Sequence, residues 1–298
     1  MKSGFVSFLG RPNAGKSTLL NRIVGQKLAI VSDKPQTTRS RVVGVKNYDS
    51  KGQVVFVDTP GVHKPTHRMN VRMVEVALEA MREVDVLILV VDASVKQGPG
   101  DRYMLDLLKD VQTPTILGLN KVDLVAKHRL LPLIDHYQQA HAFVEYVPLS
   151  AADGTNVEVL ENLLLQYLPE GEPLYPPDYL TDQPERFFTA EIIREQVLRL
   201  THDELPHSTA VMIDKFDEAG ADGIIAIYAT ILVERESQKP IVIGKGGAMI
   251  KEIGTSARQE LMHHLQSKVY LDLHVKVKSE WRDDDRLLDE LGIERHGR

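Results

Sequence analysis

The 298-residue sequence contains no cysteine. A disulfide framework, a thiol nucleophile and Cys-ligated zinc or iron–sulfur centres are therefore excluded, and a reducing compartment fits. Long apolar runs are missing too. The longest, such as residues 86–91, fall far short of the roughly 20 residues that a membrane-spanning helix needs. The brief apolar stretch at the N-terminus has no small-residue cleavage signature before Arg11-Pro12-Asn13, so no signal peptide is expected. Positive charge is not in excess, since the net charge is −6. That balance is uneven: residues 171–298 hold 16 basic and 24 acidic side chains, yet residues 239–282 within them hold 8 basic and 4 acidic. Such a basic island keeps its own electrostatic footprint, because charges beyond about 8 Å are screened at physiological salt. What remains is ordinary globular composition, 43% hydrophobic and 26% charged, with length for two domains.

Residues 5–168 alternate short Val/Ile/Leu-rich runs with helically spaced segments. Strands are predicted at 5–9, 54–58, 86–92, 115–120 and 144–148, and helices at 16–24, 70–83, 102–110, 129–141 and 157–168. That alternation implies a mostly parallel sheet with helices on both faces. A run at 42–46, paired with 54–57, reads as a hairpin adding one antiparallel strand. Residues 169–184 carry five of the chain's 15 prolines, which predicts a stiff, extended linker. Beyond it the order becomes helix (187–200), strand (210–217), strand (224–234), a Gly-rich turn, helix (248–268) and strand (269–278). The expected organisation is an α/β domain over 1–168, the linker over 169–184, and an α+β domain over 185–298.

Gly10-Arg11-Pro12-Asn13-Ala14-Gly15-Lys16-Ser17-Thr18 matches G-x-x-x-x-G-K-[ST] between a predicted strand and a predicted helix. Its glycines let backbone N–H groups turn inward around a phosphate at the positive end of a helix. Lys16 would neutralise β/γ-phosphate oxygens and the Ser17 hydroxyl would ligate Mg²⁺. Asp58-Thr59-Pro60-Gly61 closes the next strand, where a carboxylate reaches Mg²⁺ through water and the Gly61 N–H can sense a γ-phosphate. Asn120-Lys121-Val122-Asp123 ends a later strand. An Asp carboxylate only accepts hydrogen bonds, so it pairs with guanine N1–H and N2–H₂ and opposes the N1 acceptor of adenine. Ser150-Ala151 follows the last strand, its backbone expected to face guanine O6.

With these motifs in this order, residues 1–168 resemble a small Ras-like GTPase domain of the translation-factor-related class. The resemblance implies GTP and GDP as ligands and a switch segment whose Thr completes the Mg²⁺ shell. In Pro35-Gln36-Thr37-Thr38-Arg39 that residue is Thr38 by similarity, with Thr37 the close alternative. Val62 departs from the pattern, standing where Ras-like enzymes carry the Gln that orients the attacking water. In related GTPases with an apolar residue there, a phosphate-loop Asn helps bind K⁺. Asn13 occupies that place, making Asn13, Lys16, Thr38 and Gly61 the candidate catalytic set. Arg11 and Arg39 are further charge donors, although loop arginines are ordinarily solvated.

In the second domain, Ile243-Gly244-Lys245-Gly246-Gly247 lies between an apolar run and a helix with Ile250, Ile253, Ala257, Leu261 and Leu265 on one face. This G-x-x-G arrangement is the KH signature. Its glycines let backbone approach a phosphodiester, Lys245 adds charge, and the apolar floor holds single-stranded bases. One G domain, a Pro-rich linker and a type II KH domain together resemble the Era family of bacterial GTPases along the whole chain. That resemblance implies binding to the 3′ end of 16S rRNA, a role in small-subunit (30S) maturation, and a cytoplasmic protein with peripheral association with the inner membrane. The chain reads as a monomer. The alternative reading is an RNA-binding assembly factor that uses GTP as a conformational ligand with negligible intrinsic hydrolysis. Trp281 is expected to pack the C-terminal segment, and Asp283-Asp284-Asp285 to form a helix N-terminal charge cluster.

Overall fold

A computed structural model describes residues 1–62, 67–201, 205–220 and 223–293. Six strands form the first sheet: β1 (Lys2–Leu9), β2 (Val42–Tyr48), β3 (Gly52–Asp58), β4 (Val86–Asp92), β5 (Thr115–Asn120) and β6 (Glu145–Pro148), in the order β2-β3-β1-β4-β5-β6. All neighbours are parallel except β2, which pairs antiparallel with β3. Helices α1 (Lys16–Val24), α2 (Arg68–Arg82), α3 (Pro99–Leu108), α4 (Leu130–Ala140) and α5 (Val157–Tyr167) cover both faces. Strand β4 shows why its sequence is apolar throughout. Val86, Ile88 and Val90 pack with α1 and α5, while Leu87, Leu89 and Val91 pack with α2, α3 and α4. The chain order reverses direction at β1, and the crevice beyond the carboxyl ends of such strands is where ligands bind in this architecture. Gly10, Asp58, Asp92 and Asn120 all stand at those ends.

The predicted helix 102–110 is observed earlier, as α3. Pro99 supplies the first-turn φ, and the Asp101 carboxylate accepts from the Gly98 N–H at 2.7 Å, so the chain turns before its apolar pattern begins. The proline-rich stretch carries no helix, turns at residues 177–178, and is strapped to the sheet. Val45 N–H donates to the Leu180 carbonyl (2.8 Å), Thr181 Oγ1 donates to the Val43 carbonyl (2.6 Å), and stacked Tyr175 and Tyr179 cover Val43, Val45 and Val55. The exposed edge of β2 is thereby occupied.

The second unit contains α6 (Glu185–Leu200), α7 (Leu205–Ser208), β7 (Ala210–Asp217), β8 (Ile224–Val233), α8 (Lys239–Ile243), α9 (Ala248–Leu265), β9 (Lys268–Val277) and α10 (Asp285–Glu290). Its sheet is β7-β8-β9, antiparallel then parallel, and α6 and α9 bury Ile192, Ile193, Val197, Ile253, Ala257 and Leu261 against one face. Helix α8 departs from the sequence reading. The apolar run 241–243 is a turn of helix begun by Pro240, with Val242 buried and Ile241 53% exposed, so it supplies only part of an apolar floor. Helix α9 stops at Leu265 because Gln266 takes a left-handed φ of 49°.

The C-terminal segment joins the two units. Trp281 is fully buried, its indole N–H donating to the Ser208 carbonyl at 2.9 Å, and it packs with Leu287, Leu288 and Ile293 against Met69 and Met73 of α2. Asp284 caps α10 by accepting from Leu287 N–H at 3.2 Å, while Asp283 accepts from Arg68 N–H at 2.9 Å. The buried Arg72 reaches Asp285 Oδ1 (2.8 Å), Asp289 Oδ1 (2.7 Å) and the Ile293 carbonyl (2.6 Å).

Candidate nucleotide and nucleic-acid sites

The phosphate loop runs from the end of β1 into α1. Gly15 sits at φ 96°, where a β-carbon would lie 2.2 Å from Asn120 Nδ2, so no larger residue fits. Lys16 is buried and donates to the Gly10 and Arg11 carbonyls at 3.1 and 3.2 Å, curling the loop around its own ammonium. Burial holds that ammonium below its usual pKa, opposed by the Asp58 charge. A partly exposed Arg11 turns away from the loop to Asp101 at 2.8 Å, and so braces α3.

Ser17, Thr38 and Asp58 converge on one point. Ser17 Oγ donates to Asp58 Oδ2 at 2.6 Å, and Thr38 Oγ1 lies 2.8 Å from Ser17 Oγ and 3.4 Å from Asp58 Oδ2. Thr37 takes the other direction, donating to the Lys34 carbonyl at 2.7 Å. Asp58 is fully buried, and its Oδ1 has no hydrogen-bond partner among the described residues. Burial lifts its carboxyl above the usual value, opposed by Lys16 and by bonds from Ser17, Thr38 and the Thr59 amide. Two hydroxyls beside a carboxylate with an unused oxygen form a hard-oxygen donor set that fits Mg²⁺. Thr59 is fixed by donating to the Phe8 carbonyl at 2.8 Å, with Pro60 and Gly61 buried behind it. Val62 is 2% exposed and packs with Leu9 and Val74, so its side chain offers nothing to a nucleotide.

At the other end, Asn120 is a tie. Its Nδ2 donates to the Ala14 carbonyl (2.8 Å) and its Oδ1 accepts from the Ala151 N–H (2.9 Å), joining the phosphate loop to the Ser150-Ala151 turn. The Ala151 amide expected to meet guanine O6 is therefore committed to Asn120, and a base oxygen there would share its hydrogen. Ser150 is likewise internal, its N–H donating to the Thr155 carbonyl and its hydroxyl accepting from Asp153 N–H. Lys121 has φ 65° and reaches Asp92 at 2.6 Å, and the exposed Asp123 follows on the next turn. Asp92 and Arg22, which holds the Ala151 carbonyl at 3.1 Å, were missed from sequence. The signal for Asp92 is its place, an acid ending a run of six apolar residues.

In the second unit Gly244, Gly246 and Gly247 have φ of 74°, 60° and 80°, all in the left-handed region. A β-carbon on Gly244 would meet Met249 N at 2.7 Å, so that glycine lets α9 start directly after the turn. Lys245 and Gly246 are exposed at the tip, Ile243 and Ile250 are half-buried beside it, and Ile253 begins the buried face of α9.

These sites agree with the known proteins most similar to the chain. A family model described as a 50S ribosome-binding GTPase matches residues 5–121, and a KH domain model matches residues 204–282. GTPase Era from Geobacter metallireducens is 51% identical over 291 residues, covering 98% of this chain and 97% of that protein. The chain belongs to the Era GTPase family. GTPase Era from Syntrophus aciditrophicus is 49% identical over 98% of the chain and 95% of its own length. Among solved structures, Aquifex aeolicus Era carrying one substitution and bound to GDP and AlF₄⁻ aligns with TM-score 0.94 at 42% identity, over 98% of this chain and 99% of that one. An Era complex with MgGDPNP and nucleotides 1506–1542 of 16S ribosomal RNA aligns with TM-score 0.95 at 42% identity and the same coverage.

In this Era-family chain the segment between α1 and β2 carries no helix or strand of its own, and the second unit grips it. Glu195, fully buried, accepts from Val31 N–H at 2.8 Å and pairs with Lys27, which also pairs with Glu260 on α9. Arg194 donates to the Thr37 carbonyl and Ser40 Oγ donates to the Gly292 carbonyl at 2.6 Å. Arg39 is 4% exposed, donates to the Thr209 carbonyl at 2.7 Å and lies over the Trp281 ring. The expectation of a solvated Arg39 is corrected: it is an interdomain anchor, and both candidate arginines are engaged away from the phosphate loop. Lys27, Arg194 and Glu195 escaped sequence reading. For Arg194 and Glu195 the trace is a polar run inside α6, Arg194-Glu195-Gln196, between Ile192-Ile193 and Val197-Leu198; Lys27 left none.

Proposed function

We propose that this chain binds GTP and GDP with Mg²⁺ at residues 10–18, hydrolyses GTP, and uses its nucleotide state to govern binding of the single-stranded 3′ end of 16S rRNA at residues 243–250 during 30S maturation. The observation that carries this reading is the position of Thr38. Its hydroxyl stands beside Ser17 and Asp58 while the residues around it are bonded to the RNA-binding unit. A triphosphate that orders Thr38 and an RNA that engages the second unit thus act on one segment, the arrangement that linkage requires.

The residue roles come from the sequence motifs, and the geometry supports them. Lys16 would balance the β/γ-phosphate charge, Ser17 and Thr38 would offer hydroxyls to Mg²⁺, and Asp58 would act on the ion through a water. Mg²⁺ there supplies charge neutralisation of the β- and γ-oxygens. The Gly61 N–H would face the γ-phosphate and Asp123 would read guanine, while Lys121 is held in place by Asp92. Because Val62 is turned into the core, the attacking water is oriented from elsewhere. Asn13, which donates to the Asp33 carbonyl at 2.5 Å, stands beside the switch where K⁺ would add positive charge. Peripheral association with the inner membrane is carried by the family resemblance alone; among the described residues no helix is long and apolar enough to cross a membrane.

The test is equilibrium binding of GTP, GDP and ATP, combined with crosslinking to ribosomal RNA. GTP and GDP should bind at least about 10²-fold more tightly than ATP, because an acceptor–acceptor mismatch leaves both groups without their hydrogen bonds. Equal affinity for ATP and GTP overturns the assignment. Single-turnover hydrolysis with and without small subunits separates a GTPase from a protein for which GTP is a conformational ligand only.

A further inference from the structure

The Thr37 carbonyl belongs to the peptide unit whose nitrogen is that of Thr38. Because a peptide is planar, fixing that oxygen fixes the plane from which the Thr38 side chain springs. The group that fixes it is the guanidinium of Arg194, which comes from α6 and is 157 residues away in sequence. Its side chain is 2% exposed. The guanidinium is itself aimed by Glu191 one turn earlier, Nε donating to Oε1 at 2.7 Å and Nη2 to Oε2 at 2.6 Å. Such a two-point fork removes the rotational freedom that a long side chain otherwise retains. Further ties across the interface, among them those of Arg39, Ser40, Arg72 and Glu195, hold the units together through groups other than the Thr37–Thr38 peptide.

We propose that Arg194, aimed by Glu191, is a positioning residue for the triphosphate-bound state: by gripping the Thr37 carbonyl it presents the Thr38 hydroxyl to the Mg²⁺ shell. The KH-containing unit therefore supplies part of the triphosphate-binding state. The inference rests on the assignment of Thr38 made above. Thr38 matters to a triphosphate complex and not to a diphosphate one, so the signature of Arg194 is selective. A residue that merely glued the units together would change affinity for both nucleotides or neither.

The experiment uses the full chain and measures affinity for a non-hydrolysable GTP analogue and for GDP across a Mg²⁺ titration. Arg194→Ala should lower the preference for the triphosphate by about tenfold, the size of one charge-assisted hydrogen bond, and raise the Mg²⁺ needed for it. GDP affinity should stay within about twofold, reporting that the variant is folded. Arg194→Lys keeps the charge but loses the fork, and should recover only part of the loss; it also serves if the alanine variant does not fold. In a cycle with Thr38→Ala, adding the Arg194 substitution should change the preference by less than about twofold, because both act through one hydroxyl. Additive losses, or parallel losses for GDP and the triphosphate, overturn the proposal and leave Thr38 standing. An unaltered preference in Thr38→Ala alone removes the Thr38 assignment, and the role of Arg194 with it.

Discussion

Replacing Gly61 by Ala is the sharpest probe of the γ-phosphate side of the site. A β-carbon there would stand 2.7 Å from Pro12 N and 2.8 Å from Pro12 Cα, whereas ordinary contact starts near 3.4 Å. Both obstructing atoms are phosphate-loop backbone, so no side chain can swing aside. The turn after Asp58 must instead retreat, and the gap from 2.7 Å to 3.4 Å is 0.7 Å. An N–H displaced that far from an oxygen at about 2.9 Å leaves hydrogen-bonding range. Loss of one donor aimed at developing charge costs about 10²–10³ in rate. Gly61→Ala should therefore slow single-turnover GTP hydrolysis by that factor and leave GDP affinity unchanged, since GDP has no γ-phosphate. Hydrolysis at the wild-type rate would refute the argument. A matching fall in GDP affinity would show that the phosphate loop, and not the turn, gave way.

Asp123→Asn should shift preference from guanine toward xanthine nucleotides by about 10²-fold or more in competition binding, since the amide now donates to the edge that guanine donates from. Gly246→Asp should abolish binding of single-stranded RNA in a mobility-shift assay with GTP affinity intact. A side chain there meets nothing within 4 Å, and Asp tolerates the left-handed φ, so the effect is electrostatic. Hydrolysis should be faster in K⁺ than in Na⁺, and Asn13→Ala should erase the difference; equal rates in the wild type would exclude a K⁺ role. Burial against Phe188 holds His264 below its usual 6.5, with Glu185 and Glu260 opposing. The unfolded chain then takes up that proton first, so the contribution of neutral His264 is present above 6.5 and lost as pH falls below it. In urea unfolding, the stability difference between wild type and His264→Gln should shrink between pH ~7 and ~5.

Strands β4 and β5 coincide with the predicted 86–92 and 115–120 because both faces of each are buried, leaving a continuous apolar run with a polar stop. Helix α8 was not legible: Ile241-Val242-Ile243 is a strand-like triplet, and its helix follows from Pro240 and from packing against α9. Within the switch segment, two adjacent threonines are equivalent on paper. Only the fold turns one hydroxyl toward Asp58 and the other toward the Lys34 carbonyl. The committed amide of Ala151 was hidden for the same reason, since Asn120 is 31 residues away along the chain.

Three short runs were legible without the fold: the Gly-rich loop before α1, the run from Asn120 to Asp123, and the glycine turn before α9. Each is a short contiguous run, because a ligand cradled by successive backbone groups demands successive residues. Tertiary structure alone decided how the second unit sits: over both the segment before β2 and helix α2, with Arg39 and Trp281 buried between. That seat depends on partners such as Arg72 and Asp289, 217 residues apart. Contacts between faces of two separately folded units leave no period or spacing along the chain, so they exist only once both units have formed.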